Sequence, residues 1–145
     1  MFRIHVERTI PRPVDEVFAI LTDHAGYVRF PGVSHAELLE TGLPDRNGVG
    51  ALREVHLGGV RFHERITAYE HNARLSYRIE RSRPMPMAHR GGTVSFTAVD
   101  AQTTRVVWTS EGTTPIPLLG RLVDALMERQ GCRGFGAVLK AVERL

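Results

Sequence analysis

The chain has 145 residues, 42% of them apolar and 24% charged, with a formal net charge of +3. A chain of this length buries most of the surface it exposes when unfolded, so it needs no covalent staple. The lone Cys132 excludes an internal disulfide and fits a reducing, cytoplasmic setting. Residues 1–8 mix charges with apolar residues instead of forming a signal-peptide core, and no apolar run approaches the ~18 residues that cross a bilayer, so stable membrane insertion is not expected. Lys140 is the only lysine, and the arginines lie singly among acids from Arg3 to Arg144. That is the pattern of a solvated surface, and it argues against nucleic acid as a partner.

Residues 3–9 alternate polar and apolar side chains around Ile4 and Val6, which predicts a strand. Pro11 and Pro13 end it. Pro13, followed by Asp15 and Glu16, marks a helix start, because the N–H that proline lacks is unpaired there and carboxylates favour the positive end of the helix dipole. Val14, Val17, Phe18 and Leu21 recur at helical spacing to about Thr22, and a second short helix covers 25–30 before Pro31-Gly32 stops it. Strands are predicted at 33–40, 49–57, 60–69, 74–81, 93–99 and 103–111, separated by turn-forming residues such as Pro44-Asp45-Arg46-Asn47-Gly48. Beyond Pro115 and Pro117 a helical stretch reaches Leu145, with Leu119, Leu122, Leu126, Val138, Leu139 and Val142 as its apolar side. Gly131, Gly134 and Gly136 inside it cost about 1 kcal/mol each relative to alanine, which signals close packing, room above the sheet, or a local break. The fold class is α+β, with residues 1–145 as one domain: about seven antiparallel strands, two short helices after the first strand, and a long C-terminal helix.

Gly58-Gly59 is the most informative turn. Two glycines joining two strands make a hairpin, because such loops need positive φ. Leu57 then opposes Val60, Val55 opposes Phe62 and Arg53 opposes Glu64, all on one face, which Ile66 and Ala68 continue. The other face carries Glu54, His56, Arg61, His63, Arg65 and Thr67 and meets water. Arg53 and Glu64 therefore lie in the interior. Directly opposed positions are within bonding reach, and a lone buried charge is costly, so each needs the other. Leu75, Tyr77 and Ile79 share the inner face, and Tyr77 brings a hydroxyl near Glu64. In the last hairpin, Val94, Phe96 and Ala98 are expected opposite Ser110, Trp108 and Val106.

A guanidinium stabilises the ionised form of a neighbouring carboxylate and makes it a poor base, so the pair reads as a polar anchor for a ligand or a structural pair before it reads as catalytic. No catalytic residue is assigned. His56 and His63 are diagonal neighbours on the polar face, but no carboxylate or cysteine completes a set at familiar ligand spacing, so neither a metal site nor a cofactor is expected. His89, in the run 84–89 with Met85 and Met87 as an adaptable gate, reads as an exposed loop histidine. Trp108 and Phe96 offer aromatic faces for stacking. No Gly-x-Ser-x-Gly elbow and no Walker loop occurs, and Gly48-Val49-Gly50 lacks the third glycine of a dinucleotide fingerprint. These absences count against serine hydrolases, nucleotide hydrolases and nicotinamide-dependent enzymes.

The order of elements, together with the run Pro13-Val14-Asp15-Glu16-Val17-Phe18-Ala19-Ile20-Leu21, Gly50-Ala51-Leu52-Arg53, Glu64-Arg65-Ile66, Arg74-Leu75-Ser76-Tyr77, Thr104-Arg105-Val106-Val107-Trp108 and Leu139-Lys140-Ala141-Val142-Glu143, resembles the START-like and birch-pollen-allergen-like superfamily. Within it the chain is similar to bacterial polyketide cyclase/dehydratase and lipid-transport proteins, over essentially its whole length. The resemblance implies a helix-grip fold, a curved sheet wrapped around the C-terminal helix with a ligand cavity between them. The first expectation is a binding protein for a hydrophobic small molecule such as a lipid, polyketide or isoprenoid. Arg53, Glu64 and Tyr77 would orient its polar end, and Val55, Phe62, Ile79, Phe96, Trp108 and Leu126 would line the rest. The second is an enzyme of the cyclase/aromatase type using the same cavity. The third is an interaction or assembly module acting through the outer face around Arg61 and Arg65. A fold shared by so many activities does not choose among them.

Overall fold

The alternation around Ile4 becomes β1 (Phe2–Ile10), whose Phe2, Ile4 and Ile10 are buried, in a computed structural model that describes residues 1–145. Pro13 precedes α1 (Val14–Thr22), with Asp15 and Glu16 in its first turn and Val17, Phe18 and Leu21 turned into the core. A short 3₁₀ helix (Ala25–Arg29) follows. Six further strands come next: β2 (Val33–Glu40), β3 (Leu52–Leu57), β4 (Val60–Glu70), β5 (Arg74–Arg83), β6 (Ala88–Asp100) and β7 (Thr103–Thr113). They join β1 in one antiparallel sheet of order β1-β7-β6-β5-β4-β3-β2, so β1 and β2 are its two edges. α1 and the 3₁₀ helix carry the chain from one edge to the other. α2 (Gly120–Val142) closes the inner face, with Val138, Leu139 and Val142 buried against it. No helix is long and apolar enough to cross a membrane.

The β3–β4 register is the one that the glycine loop dictates: Leu57↔Val60, Val55↔Phe62 and Arg53↔Glu64. Gly58 and Gly59 both take positive φ, at 57° and 83°. Two features depart from the simple count. A bulge between Ile66 and Ala68 reverses the alternation, so Tyr69 instead of Ala68 packs against the core, edge-on to Phe18 at 5.3 Å. In the last hairpin Asp100 pairs with Thr103, and a bulge between Ala98 and Asp100 then sets Ala98 opposite Thr104. Val94 therefore faces Trp108 and Phe96 faces Val106, two residues away from the anticipated partners. A slip of two leaves every side chain on its original face.

α2 runs unbroken through its glycines. A Cβ on Gly131 would run into Ile4 Cδ1, so that glycine lets the helix lie against β1, whereas Gly134 and Gly136 have open space beside them. The side of α2 that meets β1 is polar at its start: Asp124 accepts the Thr114 N–H at 2.7 Å and Glu128 accepts the Arg3 N–H at 2.8 Å. Pinning those carboxylates to the sheet turns Leu119, Leu122 and Leu126 to solvent. The expected apolar side is thus exposed in the first half of the helix, and only Val138, Leu139 and Val142 fulfil it. At the far end Arg12 donates to the Val142 carbonyl at 3.0 Å, satisfying a helix terminus that lacks an internal partner.

Candidate functional site

Between the inner face of the sheet and α2 lies a cavity of about 300 Å³, lined mostly by apolar side chains. Seven of the residues singled out from the sequence border it: Arg53, Val55, Phe62, Glu64, Tyr77, Ile79 and Trp108. Leu126 does not, because it is 51% exposed on the outer side of α2. Phe96 does not either. The two-residue register difference carries it beneath α1, where it stands edge-on to Phe18 at 5.0 Å as part of the core. Met87 reaches the cavity wall, as do Gly131, Gly134 and Phe135 from α2. Phe135 stacks on Trp108 with ring centroids 4.0 Å apart.

The cavity's polar end is built around Arg53, which is 1% exposed. Its Nε donates to Glu64 Oε1 at 2.8 Å, and its Nη1 donates to His24 Nδ1 at 3.1 Å. Its guanidinium carbon lies 4.6 Å from the Tyr27 ring centre and 5.2 Å from that of Tyr77, so both ring faces stabilise the charge. Because a guanidinium only donates, His24 must accept at Nδ1, and its other nitrogen donates to the Asn47 carbonyl at 2.8 Å. Burial, helped by the Arg53 charge, pushes the His24 imidazole down to about 3, so it is neutral. His24 and Tyr27 are absent from the residues that the sequence singles out. They stand at the junction of α1 and the 3₁₀ helix, where no periodicity marks a side chain as inward.

A second polar chain runs along the wall. His89 belongs to the start of β6, not to an exposed loop, and is buried. The strand begins five residues earlier than the apolar alternation indicates, because Gly91 and Gly92 hide the pattern. His89 Nδ1 accepts the Ile79 backbone N–H at 3.0 Å, which fixes its proton on Nε2; that N–H donates to Ser110 Oγ at 2.7 Å. His89 therefore cannot accept the Ser110 proton, and the pair is not an activated nucleophile. Burial, with a smaller contribution from Arg78, pushes His89 down to about 4. Trp108 Nε1 donates to the Tyr77 hydroxyl at 2.9 Å. Burial and then the Glu64 charge push that hydroxyl well above the usual phenol range, so it stays protonated and able to donate. The cavity thus offers an apolar body with Arg53, Glu64, Tyr77 and Ser110 gathered on its sheet side, a layout that suits a hydrophobic molecule carrying one or two oxygen functions.

The outer face of the sheet is polar, as the alternation requires. Arg65 is committed there, held by Glu40, Glu80 and the Gly50 carbonyl. Arg61, Arg81 and Arg83 line a shallow hollow with Glu54 and His63.

A seven-stranded antiparallel sheet closed by a C-terminal helix over a cavity is the helix-grip arrangement of START-like proteins. The chain belongs to the family described as polyketide cyclase / dehydrase and lipid transport, which it matches over residues 1–145. Among solved structures it is similar to a START superfamily protein from Mycobacterium smegmatis, with a TM-score of 0.79 at 12% identity over 99% of both chains. It is similar to a protein from Thermus thermophilus, with a TM-score of 0.78 at 21% identity over 98% of this chain and 94% of that one. It is also similar to the Zhui aromatase/cyclase from Streptomyces sp. R1128, with a TM-score of 0.76 at 24% identity over 98% of this chain and 94% of that one. These likenesses are of fold. Comparison with curated proteins gives no match.

Proposed function

We propose that this chain binds a small hydrophobic molecule, of lipid, polyketide or isoprenoid type, in the cavity between sheet and α2. The observation that carries the reading is the cavity itself, about 300 Å³ of mostly apolar space ending at a buried Arg53 that is bonded to Glu64 and His24. That volume stands at the lower end of the usual range for ligand sites, roughly 300–1,000 Å³. Val55, Phe62, Ile79 and Trp108 contact the apolar body, and Arg53, Glu64 and Tyr77 orient the polar end. Native mass spectrometry of the protein as purified tests this. A bound mass of a few hundred daltons, lost on denaturation, is the expected result. An unliganded mass, with no thermal shift from a panel of lipids and aromatic polyketides, would count against it and favour an interaction role for the outer face.

A cyclase or aromatase activity in the same space is the second reading, favoured by a carboxylate and a phenol lining one cavity. Glu64→Gln separates the two. A binding protein keeps its affinity within a few-fold, whereas a cyclase relying on that carboxylate as base loses turnover while still binding. The ion pair with Arg53 favours the first outcome.

A further inference from the structure

We propose that His35, Glu54 and His56 form a binding site for one divalent transition-metal ion on the outer face of the sheet, remote from the cavity, with His63 as a positioning residue. Three neighbouring strands bring these residues together. β2 and β3 place His35 opposite His56 and, one same-face step along, Glu37 opposite Glu54. β3 and β4 place Glu54 opposite His63. The hairpin count alone puts Glu54, His56 and His63 on one face; the β2 register adds His35 and Glu37.

The donor atoms converge. His35 Nε2 and His56 Nε2 each lie 3.5 Å from Glu54 Oε2. All three donor atoms are within 4.8 Å of one another. Ligand atoms at zinc distances in a tetrahedron stand about 3.3 Å apart, so the set closes on an ion with small side-chain rotations. The two imidazole rings lie side by side, with centroids 4.6 Å apart.

Three features are left unexplained if these side chains only solvate the surface. His56 Nε2 is shielded from solvent and has no hydrogen-bond partner, although its side chain is 24% exposed. An unpaired buried polar atom is costly, and a metal bond would satisfy it. Glu37 and Glu54 are like charges directly opposed across two strands, an arrangement that a cation held between the strands relieves. His63 Nε2 donates to Glu54 Oε1 at 2.9 Å and leaves Oε2 turned to the two imidazoles. Hydrogen bonding of that kind orients metal-ligating carboxylates.

Two competing contacts must give way or coexist. His35 Nε2 is 3.3 Å from Glu37 Oε2, and Arg61 sits opposite His56 across β3–β4. Glu37 contacts His35 alone and stands outside the converging donor set. Two imidazoles and a carboxylate on a partly exposed face suit Zn²⁺ and its neighbours Co²⁺, Ni²⁺ and Cu²⁺, with a remaining position open to water. They do not suit Mg²⁺ or Ca²⁺, which take oxygen ligands.

The test uses the full chain without a histidine tag, stripped with chelator, and titrated with Zn²⁺ by calorimetry and with Co²⁺ by visible absorption. One ion per chain is expected. His35→Ala, His56→Ala and Glu54→Gln each weaken binding more than tenfold, and His63→Ala weakens it by about tenfold. His5→Ala, on β1, leaves it unchanged. All these positions face solvent at least in part, and a thermal melt of each stripped variant confirms that it still folds. The absence of saturable one-to-one binding overturns the proposal, as does binding that survives both His56→Ala and Glu54→Gln.

Discussion

Arg53 is held from four sides, by Glu64, His24, Tyr27 and Tyr77. Removing one partner of such a buried pair leaves an uncompensated charge, which costs about 3–5 kcal/mol. The two buried histidines make stability depend on pH in a stated direction. In the folded protein His24 and His89 stay neutral down to about 3 and about 4, whereas an unfolded chain takes up these protons below about 6.5. The unfolded state therefore binds more protons between those values. The stabilisation is full above about 6.5 and is lost as pH falls, down to about 4 for His89 and about 3 for His24. Denaturant midpoints at pH 7 and pH 5 check this. His24→Asn keeps an acceptor toward Arg53 without a titrating ring, and its midpoint drops less between the two pH values than that of the wild-type protein. An equal drop would show that other groups carry the acid sensitivity. The Arg53–Glu64 pair is legible in the sequence, because two glycines set a register and a register places opposed residues. His24 is not, because its contact with Arg53 bridges segments whose relative position no local pattern encodes.

At the scale of the element, α2 shows how far a helical stripe can be trusted. Its apolar positions are visible in the sequence, but which of them meet the sheet depends on Asp124 and Glu128 finding backbone N–H groups on β7's extension and β1. Spacing alone puts Leu126 in the cavity, and those two carboxylates turn it out. The glycines carry different roles that spacing cannot separate. Gly131 makes room for Ile4; Gly134 borders the cavity; Gly136 has open space beside it. Gly136→Ala is expected to stabilise by about 0.5–1 kcal/mol through helix propensity alone. Gly134→Leu places a side chain in the cavity, so it should retain the fold and weaken ligand binding. Thermal melts and ligand titration of the two variants read these effects. Binding unimpaired in Gly134→Leu would place the ligand elsewhere.

Across the whole molecule, strand order is legible for the hairpins, since consecutive strands β2 to β7 are also neighbours in the sheet. The β1–β7 pairing joins the two ends of the chain's strand order and has no local signature in the sequence. It also sets an order of events. Phe2 pairs with Gly112, so β1 has no neighbour in the sheet until nearly the whole of the sheet has been made. Contacts so distant along the chain carry a large loop-closure cost and form slowly. Phe2 and Ile4 of that strand are also cavity wall. A nascent or refolding chain is therefore expected to acquire its hairpins first and the full wall of the cavity last. Pulse-labelled hydrogen exchange during refolding should find the β3–β4 amides protected before those of β1, with added ligand speeding neither. Protection of β1 in the earliest phase would reverse that order.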